Sequence, residues 1–317
     1  MPHAGLDPQP YSAAVPAIAK AQNLQRRYGH VTALSGVTFE LERGITGLLG
    51  ANGAGKTTLM RLLLGLLRPH GGSLEILGMD PLKAGPKLRG RVGYAPEDDR
   101  FPPDMKVHEL VRHFAEMRGI PRRAAVVRAN EVLLEVGLGE ERFRPFSTMS
   151  TGQRQRVKLA QAVVHDPEVV LLDEPTNGLD PIQRDDMLAL IRRLGTELGF
   201  AVLVSSHLLH EIEQVADRII MIEGGRVARS GSLAEIQSGH QQLYLEVVNR
   251  APQLAAALAG TGVEATAAGE TRVWVASGPE AADRVVAQVI ALDLELVRME
   301  PRGATLEDLF DVEAPAG

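Results

Sequence analysis

The stretch Gly50-Ala51-Asn52-Gly53-Ala54-Gly55-Lys56-Thr57-Thr58 constrains this chain more than any other. It follows the apolar run Ile45 to Leu49 and precedes Leu59-Met60-Arg61-Leu62-Leu63-Leu64, an order that reads strand, glycine loop, helix. The spacing is GxxxxGK[ST], in which glycines lacking a Cβ let successive backbone N–H groups converge on phosphate oxygens at a helix N-terminus. Lys56 would reach the β- and γ-phosphates, and the Thr57 hydroxyl would bind Mg²⁺. Chance yields such a match in roughly 0.5% of chains of this length and composition, so the pattern is read as nucleotide binding.

With 317 residues there is room for one large domain plus a small one, or for two of ordinary size. A net charge of −6 argues against nonspecific wrapping of nucleic acid, which needs a basic face to displace counterions, and no nucleic-acid partner is expected. The lack of cysteine excludes disulfides and thiolate metal sites and suits a reducing compartment. No apolar run approaches the roughly 18 residues a membrane-spanning helix needs. Residues 1–16 carry four prolines and no periodicity, and are expected to be a disordered tail without signal-peptide character.

From Ile18 to Leu41, short apolar runs such as Val31 to Leu34 and Val37 to Leu41 alternate with turn residues and suggest strands. Tyr28 lies in the first of these turns, where it could be core or could stack on a base. Gly71 to Gly78 reads as turn and strand, and Arg91 to Glu97 as a buried strand running into a loop. Residues 104 to about 147 are helical by pattern, with one stripe of Val107, Leu110, Val111 and Phe114 and another of Val126, Val127, Val132, Leu133 and Val136. Ser150-Thr151-Gly152-Gln153 then opens a helix that Pro167 stops. Such a start could be a plain cap or a second place where backbone donors meet phosphate.

The apolar run Val169-Val170-Leu171-Leu172 closes on Asp173-Glu174. Adjacent acids at the end of a buried strand are costly unless they bind a cation, pair, or reach solvent at the sheet edge where α/β ligands sit. Asp173 can then hold the Mg²⁺ shell and Glu174 can take a proton from an attacking water. A further buried strand, Ala201 to Ser206, delivers His207 to the same edge, within reach of a γ-phosphate. Glu223-Gly224-Gly225 between Ile219-Ile220-Met221-Ile222 and Arg226-Val227-Ala228 is a hairpin signature, and Leu233 to Ile236 a short helix.

Together these segments, over about residues 18–236, resemble the ATP-binding subunit of an ABC transporter. The resemblance places Tyr28 on adenine, Gly50, Asn52, Gly53, Ala54, Gly55, Lys56, Thr57 and Thr58 around the phosphates, and Glu97 where the family usually has a glutamine that meets the metal. It likens Met149 to Gln153 to the signature motif, with Ser150, Thr151, Gly152 and Gln153 facing nucleotide, Asp173 and Glu174 to the metal-binding and catalytic acids, Gly178-Leu179-Asp180 to the D-loop and His207 to the switch histidine. Three residues depart from the usual pattern: Ala51 stands for proline, Thr151 for the first signature glycine, and Glu97 for glutamine, which can hold Mg²⁺ but cannot donate to water. The resemblance implies a P-loop NTPase fold of the ABC ATPase type with a helical subdomain (17–237, insertion about 104–165), and ATP hydrolysis aided by Mg²⁺. It also implies a homodimer sharing two ATP sites, and an integral-membrane permease partner at the cytoplasmic face of the membrane, with export as the direction of transport. A soluble ABC protein acting on ribosomes or in DNA repair is the alternative, disfavoured by a single phosphate loop and no sustained heptads.

After Ser238-Gly239-His240-Gln241, read as a linker, the pattern changes. Strand Leu243 to Val247, helix Ala251 to Ala259, strands Val263 to Ala267 and Thr271 to Ala276, helix Pro279 to Leu292 and strand Leu294 to Met299 give the order β-α-β-β-α-β of a small ferredoxin-like α+β domain over 242–317. Trp274 is expected in its core, and Thr305 to Phe310 as a capped short helix.

Overall fold

The computed structural model describes residues 17–238, 241–276, 280–303 and Leu306. It opens with β1 (Ala19–Tyr28) and β2 (Val31–Leu41), an antiparallel hairpin turning at Gly29-His30. The two runs Val31 to Leu34 and Val37 to Leu41 are thus one strand. Gly36, at φ +85, carries the backbone between them, and the register slips nearby. Tyr28 is the last residue of β1, paired with Val31, and not in the turn itself. β3 (Ile45–Leu49) and α1 (Lys56–Leu63) follow, and β4 (Gly71–Ile76) returns to pair with β1, completing a three-stranded sheet of order β2-β1-β4. α2 (Pro81–Arg89), capped by Asp80 and started by proline, leads to β5 (Val92–Ala95).

Three helices interrupt the strands, as the sequence predicts: α3 (Val107–Met117), α4 (Arg122–Glu135) and α5 (Thr151–Val163). On α4 the buried stripe is Ala125, Ala129, Val132 and Leu133, with Val136 just beyond, whereas Val126 and Val127 are exposed. The expected stripe was therefore wrong at its N-terminal end. Small alanines at helical spacing let α4 approach α3 and α5 closely, and bulkier valines one and two positions on point away.

The chain continues through β6 (Val169–Asp173), α6 (Pro181–Thr196), β7 (Ala201–Ser206), α7 (Leu209–Val215), β8 (Arg218–Glu223), β9 (Arg226–Ser232) and α8 (Leu233–Ser238). The central sheet runs β5-β6-β7-β3-β8-β9, parallel but for β9, which turns back through Gly224-Gly225. Both glycines have positive φ, +52 and +75, as a two-residue hairpin matched to strand twist requires. Every residue of β3, β6 and β7 is buried, because both faces of the sheet are covered. Alternate residues serve opposite cores: Ile45, Val170, Val202 and Val204 join the helices α3 to α7, while Leu48, Leu171 and Leu203 join α1 and the three-stranded sheet. Parallel alignment brings the C-terminal ends of β3, β5, β6 and β7 to one edge.

The last elements are β10 (Gln241–Val247), α9 (Ala251–Gly260), β11 (Ala265–Ala268), β12 (Arg272–Ala276), α10 (Ala281–Ala291) and β13 (Leu296–Gly303). They form an antiparallel sheet of order β11-β12-β10-β13 with its own apolar core, in the β-α-β-β-α-β series read from the sequence. Trp274 is not part of that core. Val273 and Val275 are, so the strand's alternation turns Trp274 to the opposite face, its ring 5.0 Å from that of Tyr244. Gly239 and His240 of the expected linker lie outside the described residues, and Gln241 already belongs to β10. The expected helix Thr305 to Phe310 also lies outside them, except for Leu306. That residue is fully buried in the main core and donates its N–H to Glu213 Oε1.

Candidate active site

The phosphate loop takes its shape from glycines that nothing else could replace. Gly50, at φ +153, would put a Cβ 2.4 Å from the Ile222 carbonyl oxygen, and Gly55, at φ +114, one 2.6 Å from that of Ala33. Ala54 N–H closes the loop on Ala51 O at 3.0 Å, and Gly55 caps α1 without a side chain, leaving the first turn's N–H groups to point outward. Tyr28, Asn52, Gly53, Gly55, Lys56, Thr57, Thr58, Glu97 and Glu174 line one open cavity of about 430 Å³. Gly50 and Ala54 lie behind them. The Arg26 guanidinium stacks on the Tyr28 ring, 4.8 Å from its centroid.

Lys56 is 6% exposed. Its Nζ donates to Gly50 O at 2.6 Å and lies 3.0 Å from Glu174 Oε1. Glu174 Oε2 is 2.9 Å from His207 Nδ1, so one buried carboxylate bridges the lysine and the histidine. The backbone at Glu174 is left-handed, φ +47, and its N–H donates to Ser205 Oγ at 2.9 Å. Ser205 Oγ donates in turn to Asp173 Oδ1 at 2.9 Å, as strand register demands by setting Asp173 opposite Ser205. The Tyr94 hydroxyl approaches Asp173 Oδ2 at 3.4 Å. Burial first, and then the Asp173 charge, pushes the Tyr94 phenol well above its ordinary pKa, so it stays a donor.

Glu97 is exposed at the cavity rim. Its Oε1 accepts from Asn177 Nδ2 at 3.3 Å, while its carbonyl accepts from Lys158 Nζ at 2.8 Å. Lys158, fully buried on α5, also pairs with Asp99 at 3.2 Å, tying that helix to the Glu97 loop. Ser205, Tyr94, Asn177 and Lys158 were not identified from the sequence. The signal for Ser205 was available, since two serines close an otherwise apolar strand. The others are contacts across more than sixty residues, with no local pattern.

Ser150, Thr151, Gly152 and Gln153 are not brought to this cavity. Ser150 caps α5, its Oγ accepting the Gln153 N–H at 3.3 Å while Gln153 Oε1 accepts the Ser150 N–H at 3.1 Å, a reciprocal capping box. Asp180 is likewise outside it and caps α6, accepting the Gln183 N–H at 2.9 Å. Gly152 is buried against Gln183, where a Cβ would fall 2.4 Å from Oε1. Within one chain the phosphate loop and acids form one group, and the two capped helix starts form another.

Among the described residues no cluster of three or more acidic or histidine side chains is arranged to hold a metal alone. Thr57, Asp173 and Glu97 offer a sparse set of hard oxygens. That suits Mg²⁺, which keeps waters and takes phosphate oxygens as its other ligands.

Comparison with known proteins fits this geometry. The ABC transporter family pattern matches residues 34–177. The ABC transporter ATP-binding protein YdbJ of Bacillus subtilis is 34% identical over 296 residues, covering 92% of this chain and 94% of that protein, a match too long to end before β10. The bacitracin transport ATP-binding protein BcrA of Bacillus licheniformis is 38% identical over 230 residues, 72% of this chain and 74% of its own. Among solved structures, the dimeric bacterial ABC transporter cassette MJ0796 superposes with a TM-score of 0.61 at 25% identity, over 68% of this chain and 98% of that one.

Proposed function

Because this chain belongs to the ABC transporter ATP-binding proteins, ATPases coupled to transport, we propose that it powers export through a separate integral-membrane permease, as a homodimer at the cytoplasmic face of the membrane. The observation that carries this reading is the division of the site. Lys56, Glu174 and His207 converge on one cavity, while the Ser150 helix start, whose capped N-terminus suits an anion, lies apart from it. A second copy facing the first head to tail would bring its Ser150 and Gly152 to the γ-phosphate, completing two equivalent sites. The dimeric MJ0796 cassette supports such pairing, and the bacitracin transport relative supports export.

The chemistry follows from the contacts. Tyr28, with one ring face covered by Arg26, offers the other to adenine. As the triphosphate enters, Lys56 turns its charge from Glu174 to the β- and γ-phosphate oxygens, and Glu174 Oε1 is freed to accept a proton from the attacking water. His207, with its Nδ1 proton on Glu174, holds that carboxylate in place and faces the γ-phosphate. Bound Mg²⁺, held by Thr57 with Asp173 and Glu97, would neutralise charge building on the phosphate oxygens. Asp173 is 1% exposed with one oxygen already accepting from Ser205, which favours its acting through a bound water.

The test is dilution. Hydrolysis per chain should fall as the protein is diluted to monomer. A rate per chain that holds constant would remove the shared site, and failure to co-purify with a polytopic membrane protein would remove the permease.

A further inference from the structure

Behind the site lies a second buried carboxylate that the chemistry above does not use. Glu211, on α7, is 1% exposed. Its Oε2 accepts from Thr176 Oγ1 and from Ser206 Oγ, each at 2.7 Å, and its Oε1 lies 3.0 Å from Arg184 Nε. Ser206 Oγ also accepts the Leu208 N–H at 3.0 Å. A carboxylate this far from water is expensive unless hydroxyls and a cation surround it, and all three are here.

The three partners come from different parts of the active-site edge. Thr176 is two residues beyond Glu174, in the turn that Asn177 N–H closes on Glu174 O at 3.1 Å. Ser206 immediately precedes His207. The adjacent serines of β7 face opposite ways, Ser205 to Asp173 and Ser206 to Glu211. Arg184 is in the first turn of α6, its N–H donating to Asp180 O at 2.9 Å.

We infer that Glu211 is a positioning residue for hydrolysis: one carboxylate holds the segments that carry Glu174 and His207 in register with each other and with the Asp180 end of α6. The inference rests on the proposed roles of Glu174 and His207. Its consequence is that loosening Glu211 displaces the Glu174–His207 contact without touching the phosphate loop, so turnover suffers and nucleotide binding does not.

The experiment is Glu211→Gln, whose amide keeps one acceptor for the hydroxyls but gives up the charge facing Arg184. Steady-state kinetics, equilibrium binding of a fluorescent ATP analogue and urea unfolding are measured on the same preparation. Expected is a fall in kcat of about ten- to a hundredfold, the scale of a small misplacement of reacting groups. KM and analogue affinity should stay within about twofold, too small to register as a lost contact. Unchanged kcat in folded protein overturns the inference. So does a kcat loss matched by the loss of folded fraction, which marks a role in the fold alone. If Glu211→Gln does not fold, Ser206→Ala and Thr176→Val each remove a single donor and must show the same kcat-only loss; normal kcat in both overturns the inference. Wild-type-like turnover in Glu174→Gln would instead overturn the reading beneath it, and the two failures are read from different variants.

Discussion

Glu174 combines a left-handed backbone with a buried charge, each unfavourable by itself, and it persists because Ser205, Lys56 and His207 take its N–H and both carboxylate oxygens. Glu174→Gln should still bind ATP yet lose about 10²–10⁴-fold in hydrolysis, the usual contribution of a general base. Phosphate release near the wild-type rate would reject the assignment. His165, at the end of α5, is a residue whose setting no local pattern reveals. Burial first, and then Arg118, lower its pKa from 6.5 to about 4. The unfolded chain therefore binds a proton here before the folded one does. This contribution to stability is intact above about 6.5 and is lost as pH falls toward 4. His165→Phe should lack that part of the decline, so its urea midpoint relative to wild type should rise between pH 7 and pH 5. A difference that is the same at both values would show that the imidazole is not held neutral.

Among the elements, the phosphate loop was read correctly because its requirements are local: a strand end, glycines at fixed spacing and a helix start. Gly50→Ala should abolish most nucleotide binding, since its Cβ would strike the Ile222 backbone carbonyl and its φ disfavours any other residue. Analogue affinity close to wild type would show that the loop adapts. On α4 the sequence offered two overlapping apolar registers, and packing against α3 and α5 chose the one with alanines. Leu133→Ala should cost about 2–5 kcal/mol, as for other buried leucines. Val127→Ala should stay within about 0.5 kcal/mol, as exposed positions do. Equal losses in chemical denaturation would restore the stripe expected from the sequence. Trp274 failed for a similar reason, because a strand of alternating pattern does not say which face a helix will cover.

For the whole molecule the decisive feature is the sheet order β5-β6-β7-β3-β8-β9, which sets β3 beside β7, with β6 and β5 beyond. Strands more than a hundred residues apart thereby deliver Lys56, Asp173, Glu174 and His207 to one edge, while α5 and α6 present Ser150 and Asp180 elsewhere. A Ser150→Arg chain should be inactive alone but should recover hydrolysis when mixed with a Lys56→Ala chain, because the mixed pair contains one complete site. Mixtures with no activity above either parent would count against sharing. Among the described residues no helix is long and apolar enough to cross a membrane, so a coupled permease must be another chain or lie beyond them.

The sequence by itself determined what depends on neighbours along the chain: the phosphate loop, the two acids ending a strand, the hairpin at Gly224-Gly225, the capped start of α5 and the order of elements in the last third. Glycine torsions, strand periodicity and cap chemistry are properties of a few consecutive residues, so they can be read in one dimension. Only the tertiary structure decided that Lys56 is held by Glu174, that Ser205 and Ser206 serve different carboxylates, and that Glu211 gathers three segments behind the site. Those are contacts between buried polar groups distant in sequence. Burial makes each one obligatory, but which partner satisfies it is set by the packing of the sheet and helices.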